Sequence, residues 1–154
     1  MTRILYTVER EFNVPVDRLF AAWAEADQLA AWYGPVGFSS PRDSVTMDPN
    51  LGGRWSATVV VPMDGSKHHF FGEILEITIN EKMIYSMLYT NDDAEFALRD
   101  LSGPAHRVEL FFEARGDKSW MSFTQIGDLP EGQDERAKEG MESYFDSLET
   151  FLAE

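Results

Sequence analysis

Along the C-terminal stretch of the chain, apolar and polar residues alternate with the period of an α-helix. Between Glu131 and Leu152 the apolar side chains recur every three or four residues and form one stripe: Ala137, Met141, Tyr144, Phe145, Leu148, Phe151 and Leu152. A helix of about 20 residues is about 30 Å long, and other elements must cover its stripe. Gly140 interrupts the helix at a cost of about 1 kcal/mol relative to Ala. Either a close approach of helix and sheet or room for a ligand would explain this glycine.

Most of the preceding chain shows the period of two that is typical of β-strands. The alternation predicts strands over residues 4–12, 54–61, 67–79, 83–89, 107–114 and 118–126. Short polar turns separate neighbouring strands and make them antiparallel: Asp64-Gly65, Asn80-Glu81 and Gly116-Asp117. Paired apolar residues within 67–79 predict a β-bulge near Gly72. The acidic stretch Asn91 to Pro104 has no regular pattern, and we expect a mobile loop there.

Two short helices are predicted between the first and second strands. Pro15 marks the start of the first helix, and Asp27 is placed to cap the second one, which ends at Gly34-Pro35. Their buried sides are predicted from the apolar spacing: Leu19, Phe20 and Trp23 in the first helix, Leu29 and Trp32 in the second. We expect the two tryptophan rings to close one end of the sheet.

The order of these elements indicates an α+β fold in one domain over residues 1–154, with a curved antiparallel sheet wrapped around the long C-terminal helix. Strand parity and the helix stripe predict the residues that line the space between them: Trp55, Val59, Tyr85, Met87, Tyr89, Val108, Leu110, Phe112, Met121, Phe123, Gln125, Met141, Tyr144, Phe145 and Leu148. These side chains either pack as a solid core or border a ligand cleft. The tyrosine hydroxyls and the Gln125 amide favour a cleft, because buried polar groups need partners.

Composition narrows the class of partner. The chain has 13 Lys and Arg against 27 Asp and Glu, a formal charge of −14. This excess disfavours nucleic acid and anionic membranes, which need a cationic face. Charged residues near the start exclude a secretory signal, and no run is long enough to span a membrane. We therefore expect a cytoplasmic protein, monomeric or weakly dimeric. Cysteine is absent, so disulfides are excluded.

Several motifs together resemble one superfamily. They are FNVPVDRLFAAW at 12–23, DQLAAWYGP at 27–35, GGRW at 52–55, GEILEI at 72–77, and Gly140. The set resembles the START-like, polyketide-cyclase-like (SRPBCC) superfamily, and within it the bacterial branch named after the activator of the heat-shock-protein ATPase. The resemblance implies a helix-grip fold that binds hydrophobic small molecules in its cavity. Met87 and Met141 stand at positions that resemble tryptophans of the family. Because methionine is flexible, the implied cavity is more adaptable than one lined by tryptophan.

The sequence leaves three function classes open. The first is binding of a hydrophobic small molecule without a metal or organic cofactor. The second is a cyclase-like or hydrolytic enzyme, in which Glu76 or whichever of His68 and His69 faces inward transfers a proton. The third is a co-chaperone-type interaction module, as the activator's name suggests. This class is the least favoured, because the activator carries an additional domain and the resemblance covers only one of its domains. His106 opens a separate strand, so the three histidines do not form a metal site.

Overall fold

The computed structural model describes residues 2–154. Its largest element is an antiparallel sheet. Over these residues the sheet has seven strands: β1 (Arg3–Phe12), β2 (Thr46–Met47), β3 (Arg54–Val60), β4 (Lys67–Thr78), β5 (Lys82–Thr90), β6 (His106–Arg115) and β7 (Lys118–Gly127). Their spatial order is β1-β7-β6-β5-β4-β3-β2, and each neighbouring pair is antiparallel. The first and last strands of the chain, β1 and β7, are therefore neighbours in the sheet.

The described residues form four helices, and all but the third were predicted. They are α1 (Val16–Ala24), α2 (Ala26–Trp32), α3 (Asp93–Leu98) and α4 (Gln133–Leu152), with a short 3₁₀ turn at Arg42–Ser44. Helix α4 packs on the inner, concave face of the sheet, where Phe145 and Leu148 are fully buried. The predicted α+β, helix-grip fold is therefore confirmed. No helix within residues 2–154 has the length and apolar character needed to cross a membrane.

The turn predictions are confirmed by the backbone. Gly65 between β3 and β4 has φ +71°, and Gly116 between β6 and β7 has φ +69°. Both values lie in the left-handed region that glycine enters without a Cβ clash. Asn80 takes the same conformation between β4 and β5. These turns set the antiparallel pairing that brings residues far apart in sequence together on the inner face.

The two short helices bury their tryptophans as predicted. The rings of Trp23 and Trp32 meet nearly edge to face, with centroids 4.7 Å apart, and the ring of Trp23 lies 6.2 Å from that of Phe123 on β7. Trp32 Nε1 donates a hydrogen bond to the Ala22 carbonyl at 2.8 Å. Asp27, however, does not cap α2. It lies in the first turn of that helix, and its carboxylate pairs with Arg42 at 2.6 Å.

The stretch from Asn91 to Pro104 is more ordered than its pattern predicts. It contains α3, whose first backbone amides donate to the side chain of Asp92. Phe96 of this helix is buried against Phe71 on the outer face of the sheet, and Leu88 and Leu101 belong to the same small cluster. The prediction of an irregular loop is therefore wrong for residues 93–98. The helix has six residues and buries one of them, Phe96, which is too short a stretch to show a helical period.

Two glycine predictions need correction. The register shift in β4 lies between Ile74 and Glu76, not at Gly72. Gly72 is required for another reason, because a Cβ there would come within 1.9 Å of the Ser86 carbonyl oxygen. Gly140 in α4 shows the opposite situation. A Cβ there would meet nothing within 4 Å beyond the backbone of its own helix, so the explanation by close packing is wrong.

Candidate functional site

The inner face gathers nearly all of the predicted lining residues into one cluster. Eleven are buried members of it: Trp55, Val59, Tyr85, Val108, Leu110, Phe112, Met121, Phe123, Met141, Phe145 and Leu148. Met87 and Tyr144 are partly buried against the same cluster, and Gln125 is also buried. Tyr89 lies apart from them. Its side chain is half-exposed at the rim, where its hydroxyl bonds His68 Nδ1 at 2.6 Å.

Aromatic rings fill much of the interior between the sheet and α4. The ring of Tyr144 on α4 meets that of Tyr33 edge to face at 5.0 Å. On the sheet, the rings of Trp55 and Tyr85 lie 4.9 Å apart in the same geometry. Such perpendicular pairs are favoured by the ring quadrupoles. Sequence reasoning did not place Tyr33 at the site, because it lies just past the end of α2 and belongs to no periodic run.

A chain of polar groups crosses one side of this interior. Tyr6 donates from its hydroxyl to Gln125 Oε1 at 2.5 Å, and Gln125 Nε2 lies 2.7 Å from His106 Nδ1. Because an amide nitrogen only donates, the Nδ1 atom accepts. The other ring nitrogen of His106 then carries its proton toward the Asp128 carbonyl at 3.3 Å. The network joins residues 119 positions apart in the chain, which no local pattern could indicate.

Three further tyrosine hydroxyls lie in the interior without a protein partner. The hydroxyls of Tyr33, Tyr85 and Tyr144 make no hydrogen bond within residues 2–154. Among these residues, Trp23 Nε1 is the one fully buried side-chain nitrogen or oxygen atom that lacks a hydrogen-bond partner. These three hydroxyls are therefore not sealed, and they border space that water can enter. Polar groups left in this way usually bind water or a ligand.

Burial raises the pKa values of all these tyrosines. Desolvation is the largest cause for Tyr6, Tyr33 and Tyr85, and repulsion from neighbouring tyrosines adds to it. Desolvation alone raises the pKa of Tyr144. All four side chains are neutral at physiological pH. The Tyr6 hydroxyl already donates to Gln125, so the hydroxyls of Tyr33, Tyr85 and Tyr144 are the ones that can donate to a ligand oxygen.

The predicted acid and base residues do not meet in this interior. Glu76 is exposed, and hydrogen bonds to Lys82 at 3.0 Å, with further attraction from Lys82 and Arg107, lower its pKa. The expectation of a buried Glu76 is therefore wrong. On β4, His68 shares the inner side with Phe70 but lies at the rim. His69 is buried on the outer side. No three acidic or histidine side chains in the described part of the chain are grouped as a metal site.

Open space is concentrated on the other face of the sheet. Cavities of about 480, 570 and 330 Å³ surround α3, and Arg99 borders the first two. There His69 Nε2 lies 2.8 Å from Asp93, and His69 Nδ1 lies 2.7 Å from the Thr58 hydroxyl. The His69 ring stacks on Phe96 at 4.2 Å. Nothing in the sequence pattern marked this outer group.

Comparison with known proteins agrees with the fold. The structure is similar to that of the AHSA1 protein SPO3351 from Silicibacter pomeroyi, with 24% identity, a TM-score of 0.80 and 96% of each chain covered. It is also similar to protein CV1439 from Chromobacterium violaceum, with 22% identity, a TM-score of 0.77, and 98% of this chain and 96% of that one covered. At these identities the likeness concerns the fold alone.

The sequence itself carries the family signature. Comparison with curated proteins gives no significant match. The family model described as activator of Hsp90 ATPase homolog 1-like protein, however, matches residues 13–153. That range contains α1 to α4 and every strand except β1, which ends one residue before it. The chain therefore belongs to the family of activator of Hsp90 ATPase homolog 1-like proteins.

Proposed function

We propose that this protein binds a hydrophobic small molecule between the sheet and α4, with tyrosine hydroxyls donating to the polar end of the ligand. The observation that carries the proposal is the group of three partnerless hydroxyls, on Tyr33, Tyr85 and Tyr144, within an otherwise apolar interior. Because these hydroxyls border space that water can enter, they can donate to a ligand oxygen that takes the place of water. Such a hydrogen bond gives the ligand a definite orientation.

The driving force in this proposal is burial of apolar ligand surface, at about 25 cal/mol per Å². Space comes from side chains that can move. Met87 and Met141 flank the interior, and methionine has three flexible bonds with which to repack around a guest. Gly140 lies one helical turn from Tyr144, and a Cβ there would meet no other element within 4 Å. We infer that a ligand enters from this side of α4.

A neutral fluorescent probe tests the proposal. Nile red titrated into the protein should show saturable binding with a blue-shifted emission, and neutral apolar compounds should displace it. Tyr144→Phe should weaken binding of a ketone-bearing ligand by about fivefold, because one hydrogen bond contributes about 1 kcal/mol. Tyr89→Phe is the matched control and should leave the affinity unchanged, since Tyr89 is bonded to His68 at the rim.

The two possible failures of this experiment are different. If the unaltered protein shows no saturable Nile red binding, the ligand-binding proposal is wrong. If binding is saturable but Tyr144→Phe has full affinity for the ketone, the site stands and the role of the hydroxyls is wrong. The enzymatic alternative has lost its main acid-base candidate, because Glu76 is exposed and ion-paired. The co-chaperone alternative is supported by the family description alone.

A further inference from the structure

We propose that the outer face of the sheet carries a second ligand site, for an organic monoanion with an apolar body. The site is the cavity of about 480 Å³ between the start of β3, the middle of β4 and the segment that follows α3. Its cationic residues are Arg54 and Arg99, and its apolar surface includes Met47, Phe71 and Leu101. This volume lies within the range of about 300–1,000 Å³ that is usual for small-molecule sites.

The first argument is that the two arginines lack carboxylate partners in a strongly acidic chain. Of the seven other arginines, Arg18 and Arg136 also lack such a partner among the described residues, and neither borders this cavity. The other five are within 4.0 Å of a carboxylate: Arg3, Arg10, Arg42, Arg107 and Arg115. Within residues 2–154, Arg54 and Arg99 form no such pair, although acidic residues outnumber basic ones by 27 to 13. A guanidinium recognises a carboxylate or sulfonate through two parallel N–H donors.

The second argument is that the structure fixes each of these two arginine side chains near the end of α3. Arg54 Nη1 donates to the Arg99 carbonyl oxygen at 3.2 Å. The Arg99 guanidinium lies over the Phe96 ring, 3.6 Å from its centroid, and donates to the Phe96 carbonyl. Each guanidinium has five N–H donors, so both keep donors for a ligand. The apolar contact also limits the motion of the Arg99 side chain before any ligand binds.

The third argument concerns the backbone and hydration of Arg99. Arg99 is the C-cap of α3, and its φ of +50° and ψ of +39° lie in the left-handed region, which a residue with a Cβ adopts less readily than glycine. Such conformations persist where the surroundings hold them, often at ligand sites. Partial burial also lowers the pKa of Arg99. The cation has lost hydration without gaining a carboxylate, and a bound anion would supply the missing charge.

The acidic residue in this cavity has another role. Asp48 accepts a hydrogen bond from Asn50 Nδ2 at 2.6 Å, and its backbone amide donates to the Arg54 carbonyl. It therefore shapes the turn that leads into β3. Its charge and the chain's net charge of −14 repel polyanions. The site thus favours a single negative charge attached to an apolar body that can cover Phe71 and Leu101.

Isothermal titration calorimetry with octanoate and octanol tests this site, because the two probes differ mainly in charge. Octanoate should bind the unaltered protein. Arg54→Gln and Arg99→Gln should each weaken octanoate binding at least tenfold, since each removes charge-assisted hydrogen bonds. Arg18→Gln is the control, because Arg18 bonds Gln28 and lies over Phe151, away from the cavity. Equal octanoate affinity in all four proteins would overturn the proposal.

Backbone NMR places the bound probe. Octanoate should shift the amide signals of Gly53, Arg54 and Leu101 at the outer cavity. Shifts confined to Gln125 and Tyr144 would place octanoate in the inner site and contradict the outer one. If Arg99→Gln unfolds because Phe96 loses its cover, the exposed Arg54 still allows the test. The outcome is independent of Nile red binding, so the two proposed sites can fail separately.

Discussion

The two faces of the sheet bury aromatic side chains by different means. On the inner face, the 20 residues of α4 cover a continuous apolar layer in which Phe145 and Leu148 are fully buried. On the outer face, the six residues of α3 cover a cluster of Phe71, Leu88 and Phe96. Neighbouring residues of β4 show the contrast, because Phe70 packs against the inner layer and Phe71 against the outer one.

The difference teaches that a short helix depends on polar anchors, whereas a long one has a continuous apolar stripe in addition to such anchors. Helix α4 has both, because Asp134 pairs with Arg3 and Asp146 with Arg10 of β1. Helix α3 is fastened to the sheet by a His69 to Asp93 contact at 2.8 Å and by a hydrogen bond from Thr90 to Glu95 at 2.6 Å. A six-residue helix has little stability of its own. Cavities remain between the polar contacts of α3 and the sheet. Beneath α4, by contrast, the interior contains unpaired tyrosine hydroxyls. The inner face should therefore dominate stability.

The largest expected effect is on the inner face. Phe145→Ala should lower the free energy of unfolding by about 3–5 kcal/mol, because it removes a fully buried ring from the middle of the layer. Urea unfolding followed by tryptophan fluorescence measures the change. Phe96→Ala, on the outer face, should cost clearly less. An equal loss in the two variants would mean that α3 belongs to the same cooperative core.

A pair of glycine substitutions sharpens the comparison within the sheet. Gly72→Ala should destabilise the protein by about 1–3 kcal/mol, as overpacking does, because the new Cβ would come within 1.9 Å of the Ser86 carbonyl oxygen. Thermal unfolding provides the measurement. A variant as stable as the unaltered protein would show that β4 and β5 can separate at this point.

On α4 the same substitution should have the opposite sign. Gly140→Ala should raise the stability by about 1 kcal/mol, since alanine favours the helix and its Cβ would meet no other element within 4 Å. The melting temperature should rise accordingly. A decrease would mean that this part of α4 moves closer to the sheet in solution than the structure shows.

The smallest effect concerns pH and the outer face. The hydrogen bond from His69 lowers the pKa of Asp93 below its ordinary value of 3.8. A carboxylate with a lowered folded-state pKa adds stability above its unfolded pKa and loses it as the pH falls through the folded one. Below about pH 4, hydrogen exchange should therefore accelerate in α3 before it does in α4. Asp93→Asn should abolish this pH dependence, and a simultaneous acceleration in both helices would contradict the local origin.

Much of the fold could be predicted because most of its elements have a recognisable pattern within their own stretch of sequence. The apolar stripe of α4, the alternation in β6 and β7, and the turns at Gly65 and Gly116 each depend on a few neighbouring residues. The lining of the interior could also be predicted, since residues on one face of a strand share parity. Parity cannot tell the centre of a sheet from its rim, so Tyr89 was placed inside although it is half-exposed.

By itself, the sequence determined the order of the elements other than β2 and α3, the antiparallel hairpins and the apolar sides of those elements, because these follow from backbone periodicity and turn chemistry. Only the tertiary structure decided that Tyr33 joins Tyr144, that Gln125 links Tyr6 to His106, and that Arg54 meets Arg99 under a short helix. Such contacts join residues far apart in the chain. They depend on strand register and on how closely each helix approaches the sheet, quantities that the packing of the whole chain sets.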